Sequence, residues 1–244
     1  MIATEQLAAV FVEVADTLVD DFDVIEFMQM LTTRTSEMFD VTAAGLLLSD
    51  HNARLHLMAA SDERTEMLEL FQLQAHEGPC QDCFSTGVAV IATDLATAVD
   101  RWPHFAPHAV AAGFGAVHAF PMRLRGEVIG ALNLFSDTAT EMTAFDRTVV
   151  QALADVATVG LLQERAIRRA EVLTEQLQGA LNSRIAIEQA KGALSQIHGC
   201  STDRAFDMLR SFARARGRSL TEVATAVTTD SAGVSGLTTP HRGI

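Results

Sequence analysis

Two apolar, β-rich runs, Ala116 to Leu124 and Glu127 to Phe135, stand two residues apart, and that spacing constrains the fold more than any other feature of the chain. Arg125-Gly126 leaves room only for a tight turn, so the runs pair as an antiparallel hairpin. A second hairpin is expected where Ala43 to Leu48 and Arg54 to Ala60 flank the turn residues Asp50-His51-Asn52. Around these runs, Leu7, Val10, Phe11 and Val14 recur at helical spacing, as do Ile25, Met28, Leu31 and Met38 after an acidic turn at Asp20 to Asp23. Glu63 to Ala75 is helical until His76-Glu77-Gly78-Pro79-Cys80 ends it, Val88 to Ile91 is β-rich, and an Ala-rich helix stops at Gly113. Helices mixed with hairpins imply an α/β domain on an antiparallel sheet.

From Phe145 through Leu162 the pattern is helical, and it runs without Pro into Ala170, Leu173, Leu177 and Ala180, whose steps of three and four resemble a short coiled-coil seam. Self-association is the usual meaning of such a seam; a mechanical link and a passive connector are both compatible with it. In the following stretch, Arg184 to Leu194, the residues Ile187, Ala190, Leu194 and Ile197 fall on one helix face. Arg184 and Lys191 lie two turns apart on its flank, about 10.5 Å, which suits either neighbouring phosphates or ordinary solubilising charge.

Past Gly199, Ser201 can cap a helix whose core face is Ala205, Leu209, Phe212 and Ala213, with Arg210 and Arg214 opposite. Gly217 ends it, and Ser219 to Glu222 is a capping box for a helix with Leu220, Val223, Ala224 and Val227 inside. Three short helices make a bundle that is marginal alone. Residues 229–244, rich in Thr, Ser, Gly and Pro, are expected to be a disordered tail.

The net charge of −13 is unevenly distributed. Residues 1–165 hold 8 Lys and Arg against 24 Asp and Glu, a balance of −16, whereas residues 166–244 hold 10 against 7, a balance of +3. The first part is unsuited to a polyanion and the second is suited to one. Three cysteines do not form a disulfide framework. The early acidic residues and the Pro-broken, His-containing run from Phe105 to Met122 favour neither a signal segment nor a membrane span, so a cytoplasmic protein is expected.

The segments EGPCQDCFSTGVAVIATDL (77–95), RWPHFAPHAVAAGFGAVHAFPMRL (101–124) and GEVIGALNLFSD (126–137), in this order, resemble a GAF domain over residues 4–165. The resemblance implies a sensory module with a pocket above an antiparallel sheet, receiving an unknown small-molecule or redox signal. A helical connector, 166–180, follows. Arg184, Ala190-Lys191-Gly192, Ala205-Phe206, Leu209-Arg210, Ala213-Arg214, Leu220 and Val223-Ala224 resemble an ANTAR domain over 181–228. That family implies a bacterial antitermination regulator binding paired hairpins in nascent mRNA, usually as a dimer. Ser195 departs from the pattern where an apolar residue is expected.

RNA loops are held through phosphates and splayed bases. Arg184 and Lys191 are the leading candidates, and Gly192 permits close approach. Arg210, Arg214, Arg216 and Arg218 serve either RNA or plain surface charge. The bundle has no Trp or Tyr, so arginine planes would do the stacking. Cys80 and Cys83 are a candidate redox pair, since a thiol at a helix start can have a lowered pKa; buried structural thiols are the alternative, and two ligands do not complete a metal site. Helix or strand packing accounts for His104, His108 and His118 better than metal or heme ligation does. The sequence has no Gly-rich phosphate loop, Gly-x-Ser-x-Gly or His-Glu-x-x-His, so no catalytic residues are assigned and no cofactor is implied. The competing class is a GAF-type reductase of free methionine sulfoxide using Cys80 and Cys83.

Overall fold

The computed structural model describes residues 4–17, 23–39, 41–229 and 234–238. The chain divides into two compact units, 1–165 and 166–244. Of the acidic turn expected at Asp20 to Asp23, only Asp23 is described; its carboxylate accepts from the amides of Ile25 and Glu26 at 2.7 and 3.1 Å and so caps the helix that follows.

The first unit is a five-stranded antiparallel sheet with helices on both faces. In chain order its elements are α1 (Thr4–Thr17), α2 (Val24–Phe39), β1 (Ala43–Ser49), β2 (Leu55–Ala60), α3 (Glu63–Ala75), α4 (Pro79–Thr86), β3 (Val90–Ala92), α5 (Phe105–Ala111), β4 (Ala116–Leu124), β5 (Glu127–Ser136) and the start of α6 (Ala144–His198). Strand order is β2-β1-β5-β4-β3, so both expected hairpins form and β5 joins them by pairing with β1. The side-chain alternation of the central strands feeds two cores. Leu46 and Leu48 of β1, Phe120 and Met122 of β4, and Leu132 and Leu134 of β5 face α1, α2 and the first turns of α6. Leu47, Val117, Ala119, Ala131 and Phe135 face the opposite side, with Trp102 and Phe105.

α3 inverts the usual pattern of a surface helix. Its buried residues are Thr65, Leu68, Glu69 and Gln72, while Met67 is 67% and Leu70 43% exposed. Met67, Leu70 and Phe71 line an open groove of about 800 Å³ with His108 and Ala111 of α5.

The second unit comprises the remainder of α6, α7 (Thr202–Arg216), α8 (Leu220–Thr228) and α9 (Ser235–Thr238). Ser201 accepts from the Arg204 amide, and Ser219 with Glu222 forms the expected capping box; each cap contributes about 1 kcal/mol. The core joins Ala190 and Leu194 of α6, Ala205, Leu209 and Ala213 of α7, and Val223, Ala224 and Val227 of α8.

Two expectations are corrected here. Part of the segment expected to be disordered is ordered: Val234 and Leu237 are buried in this core, because three short helices leave apolar surface that a fourth covers. Residues 230–233 and 239–244 of that segment lie outside the described residues. Ile197 was expected on the core face but is 38% exposed, since α6 ends one residue later and the chain turns at Gly199 with φ 59°. Ser195 has a local use: its hydroxyl donates to the Cys200 carbonyl at 2.5 Å across that turn.

Candidate nucleic-acid interface

At 100° per residue, Arg184, Glu188, Lys191 and Gly192 share one flank of α6 beside the Ala190 and Leu194 core line. Arg184 and Gly192 are exposed, whereas the Lys191 side chain keeps only 17% of its exposure. Lys191 is the sole lysine of the chain. Its Nζ donates to both Glu188 carboxylate oxygens at 2.9 Å and lies 5.8 Å from the centre of the Phe206 ring. An added Cβ at Gly192 would meet none of the described residues within 4 Å, so their packing does not require a glycine there.

Across from this flank, Phe206, Arg210 and Arg214 follow at i, i+4 and i+8 on α7. The Arg210 guanidinium lies 4.9 Å from the Phe206 ring centre, so α6 and α7 bring Lys191, Phe206 and Arg210 together. Arg216 does not join them: it sits 4.8 Å over Phe212, about 240° around α7 from Phe206. Arg218 lies past the helix end, its backbone amide donating to the Ala213 carbonyl at 3.0 Å. Phe206 is the residue the sequence reading missed. Its position beside Ala205 and one turn before Arg210 was the available signal.

The thiols lie in the first unit, in α4, and burial reverses the pKa direction expected from a helix start. Both are fully buried; desolvation raises the Cys80 thiol well above its ordinary value and pushes Cys83 up to about 12. Among the described residues, no group of three or more His, Cys, Asp or Glu could hold a metal ion. His104, His108 and His118 do not converge. His108 stacks on Phe71 at 3.9 Å, the His104 amide donates to Glu77 at 2.7 Å, and strand alternation puts His118 on the α6 face with Phe120.

Comparison with known families settles the parentage. A GAF-domain profile matches residues 23–161 and an ANTAR-domain profile matches residues 175–227. The chain belongs to the GAF family, joined here to an ANTAR domain. No curated protein matches it. Among solved structures, the GAF domain of an Acinetobacter phosphoenolpyruvate-protein phosphotransferase is 12% identical, with TM-score 0.53 over 69% of this chain and 99% of that one. The corresponding domain from Coxiella burnetii is 14% identical, with TM-score 0.54 over 68% and 98%. The free methionine-R-sulfoxide reductase of Neisseria meningitidis is 15% identical, with TM-score 0.53 over 68% and 96%. At such identities the likeness is one of fold alone.

Within the GAF unit, the quoted motifs are structural latches. Glu77 accepts from the amides of His104 and Phe105, at 2.7 and 2.9 Å, and caps α5. Asp82 accepts from Arg101 at 2.8 and 3.0 Å and from the Trp102 indole at 3.2 Å, tying α4 to the loop that buries Trp102. Beneath them is a buried polar cluster. Glu69 accepts from Asn133 at 2.6 Å and from Gln72 at 2.7 Å, and the Gln72 carbonyl accepts from the Cys80 amide at 2.8 Å. Burial raises the Glu69 carboxyl to about pKa 8 against the lowering effect of these bonds, so it is largely protonated at neutral pH. Gly45 and Gly78 make the cluster possible: a Cβ at either would collide with Glu69 or Gln72, and Gly78 also has φ 132°. None of the described helices is long and apolar enough to cross a membrane.

Proposed function

We infer that this protein regulates transcription by binding RNA hairpins in nascent messages through its ANTAR unit, preventing terminator formation, under control of its GAF unit. The observation that carries this reading is the meeting of Lys191, on the flank it shares with Arg184, and Arg210 at the Phe206 ring, beside an open glycine, on the unit with positive charge balance. Glu188 holds Lys191 in the free protein, and a phosphate takes its place in the complex.

The working form is a homodimer in the cytoplasm. Ile167, Leu173, Leu177 and Leu181 form an exposed stripe on α6, each more than half exposed, which a second copy covers. The GAF unit receives a small-molecule signal, for which the α3–α5 groove offers apolar surface. The role is regulatory rather than catalytic: Cys80 and Cys83 are buried and held protonated, which suits neither a nucleophile nor a fast redox switch.

RNA co-purified with the full chain from cells and sequenced should be enriched in paired hairpins upstream of coding regions. Lys191→Ala or Arg184→Ala should weaken binding to such an RNA and lower the slope of log affinity against log salt by about one. Wild-type affinity and slope in both variants would sink the assignment.

A further inference from the structure

The ANTAR unit contains neither Trp nor Tyr, yet its fold assembles an aromatic platform from a phenylalanine. Phe206 follows the core residue Ala205, and the 100° step leaves its ring half-buried at the edge of the bundle. Arg210, one turn later, has its guanidinium carbon 4.9 Å from the ring centre. Its contact with Asp207 is long, 3.7 Å, and 47% of its side chain stays open to solvent. A planar, weakly hydrated cation is thus held against a ring with much of its surface free. Lys191 Nζ stands on the same ring at 5.8 Å.

We propose that Phe206 and Arg210 form a stacking platform for one unpaired nucleobase of an RNA hairpin loop, with Lys191 binding the adjoining phosphate. The inference rests on the RNA-binding function above and adds the element that tells a loop from a duplex. Cations alone attract any polyanion, whereas a stacking plane rewards only a base already out of its pair. Because every base has a π face, the platform selects unpaired structure and tolerates different bases. Arg216 over Phe212 repeats the pairing, but on the flank of α7 away from Lys191.

The test uses the full chain and a hairpin RNA carrying 2-aminopurine at each loop position in turn. Wild-type protein should change the fluorescence at one loop position. Phe206→Leu keeps the charge and most of the apolar volume; it should abolish that change and weaken hairpin binding at least about fivefold, with an unchanged salt slope and unchanged binding to a blunt duplex. Arg210→Lys, an exposed replacement that keeps the charge and loses the plane, should do the same and decides the matter if circular dichroism shows Phe206→Leu misfolded. Full affinity with the fluorescence change intact in Arg210→Lys overturns the platform, and so does an affinity loss accompanied by a smaller salt slope. A wild-type chain that binds no hairpin overturns the RNA-binding function instead.

Discussion

The protonated Glu69 makes the stability of the GAF unit depend on pH in a direction opposite to that of an ordinary carboxylate. Its folded pKa is about 8, against an unfolded value of 4.5, so between these pH values the folded state holds a proton that the unfolded state releases. Stability from this group is complete below pH 4.5 and is lost as pH rises through 8. His118 acts the other way: burial and the nearby Arg147 lower its pKa to about 4 from 6.5, so its contribution is lost as pH falls through that range. The two oppose each other up to pH 6.5, and from there to pH 8 Glu69 acts alone of the two. At about 1.4 kcal/mol per pH unit for one proton, the loss over that window is roughly 1.5–2 kcal/mol. Trp102 is the only tryptophan and is buried in the GAF unit, so urea unfolding followed by its fluorescence reports this unit. Glu69→Gln should remove the slope between pH 6.5 and 8, its amide donating to Asn133 Oδ1, a buried atom without a hydrogen-bond partner among the described residues, once the Asn133 amide turns. Wild-type stability that is flat or rises across the window would mean that Glu69 is already ionised in the folded unit.

Two further outcomes are expected. Gly192→Ala should stabilise α6 by about 1 kcal/mol, because helix propensity improves and the new methyl meets nothing. Hydrogen exchange of residues 186–198 should slow up to about fivefold while RNA affinity falls; stabilisation with unchanged affinity would show that RNA does not approach there. Leu177→Asp should convert a dimer to a monomer in sedimentation equilibrium without disturbing the fluorescence of Trp102; an unchanged mass would remove the α6 stripe from the interface.

Much of the architecture was legible because it is local. The spacing of β4 and β5 requires a two-residue turn, and the caps at Ser201 and Ser219 act within three residues of themselves. The flank of α6 that carries Arg184, Lys191 and Gly192 follows from helical geometry alone. The candidate site was legible only in its cations. Phe206 entered only as part of a family motif, and its use became visible once the packing of α7 against α6 set Lys191 beside the ring on which Arg210, one turn along α7, already lies.

The elements, their caps, the split of charge and the two family resemblances are written along the chain, because each follows from residue order without any distant contact. The tertiary structure alone decided what those residues face. Glu69 meets Asn133 from 64 positions away, on a helix whose exposed side carries Met67 and Leu70, and no periodicity announces an acid buried beneath two glycines. Cys80 and Cys83 carry a reactive spacing, yet solvent exclusion raises their pKa values, and Val234 is core only because three helices left a gap. Burial is set by every segment that packs on a site, so it becomes visible only when those segments have met.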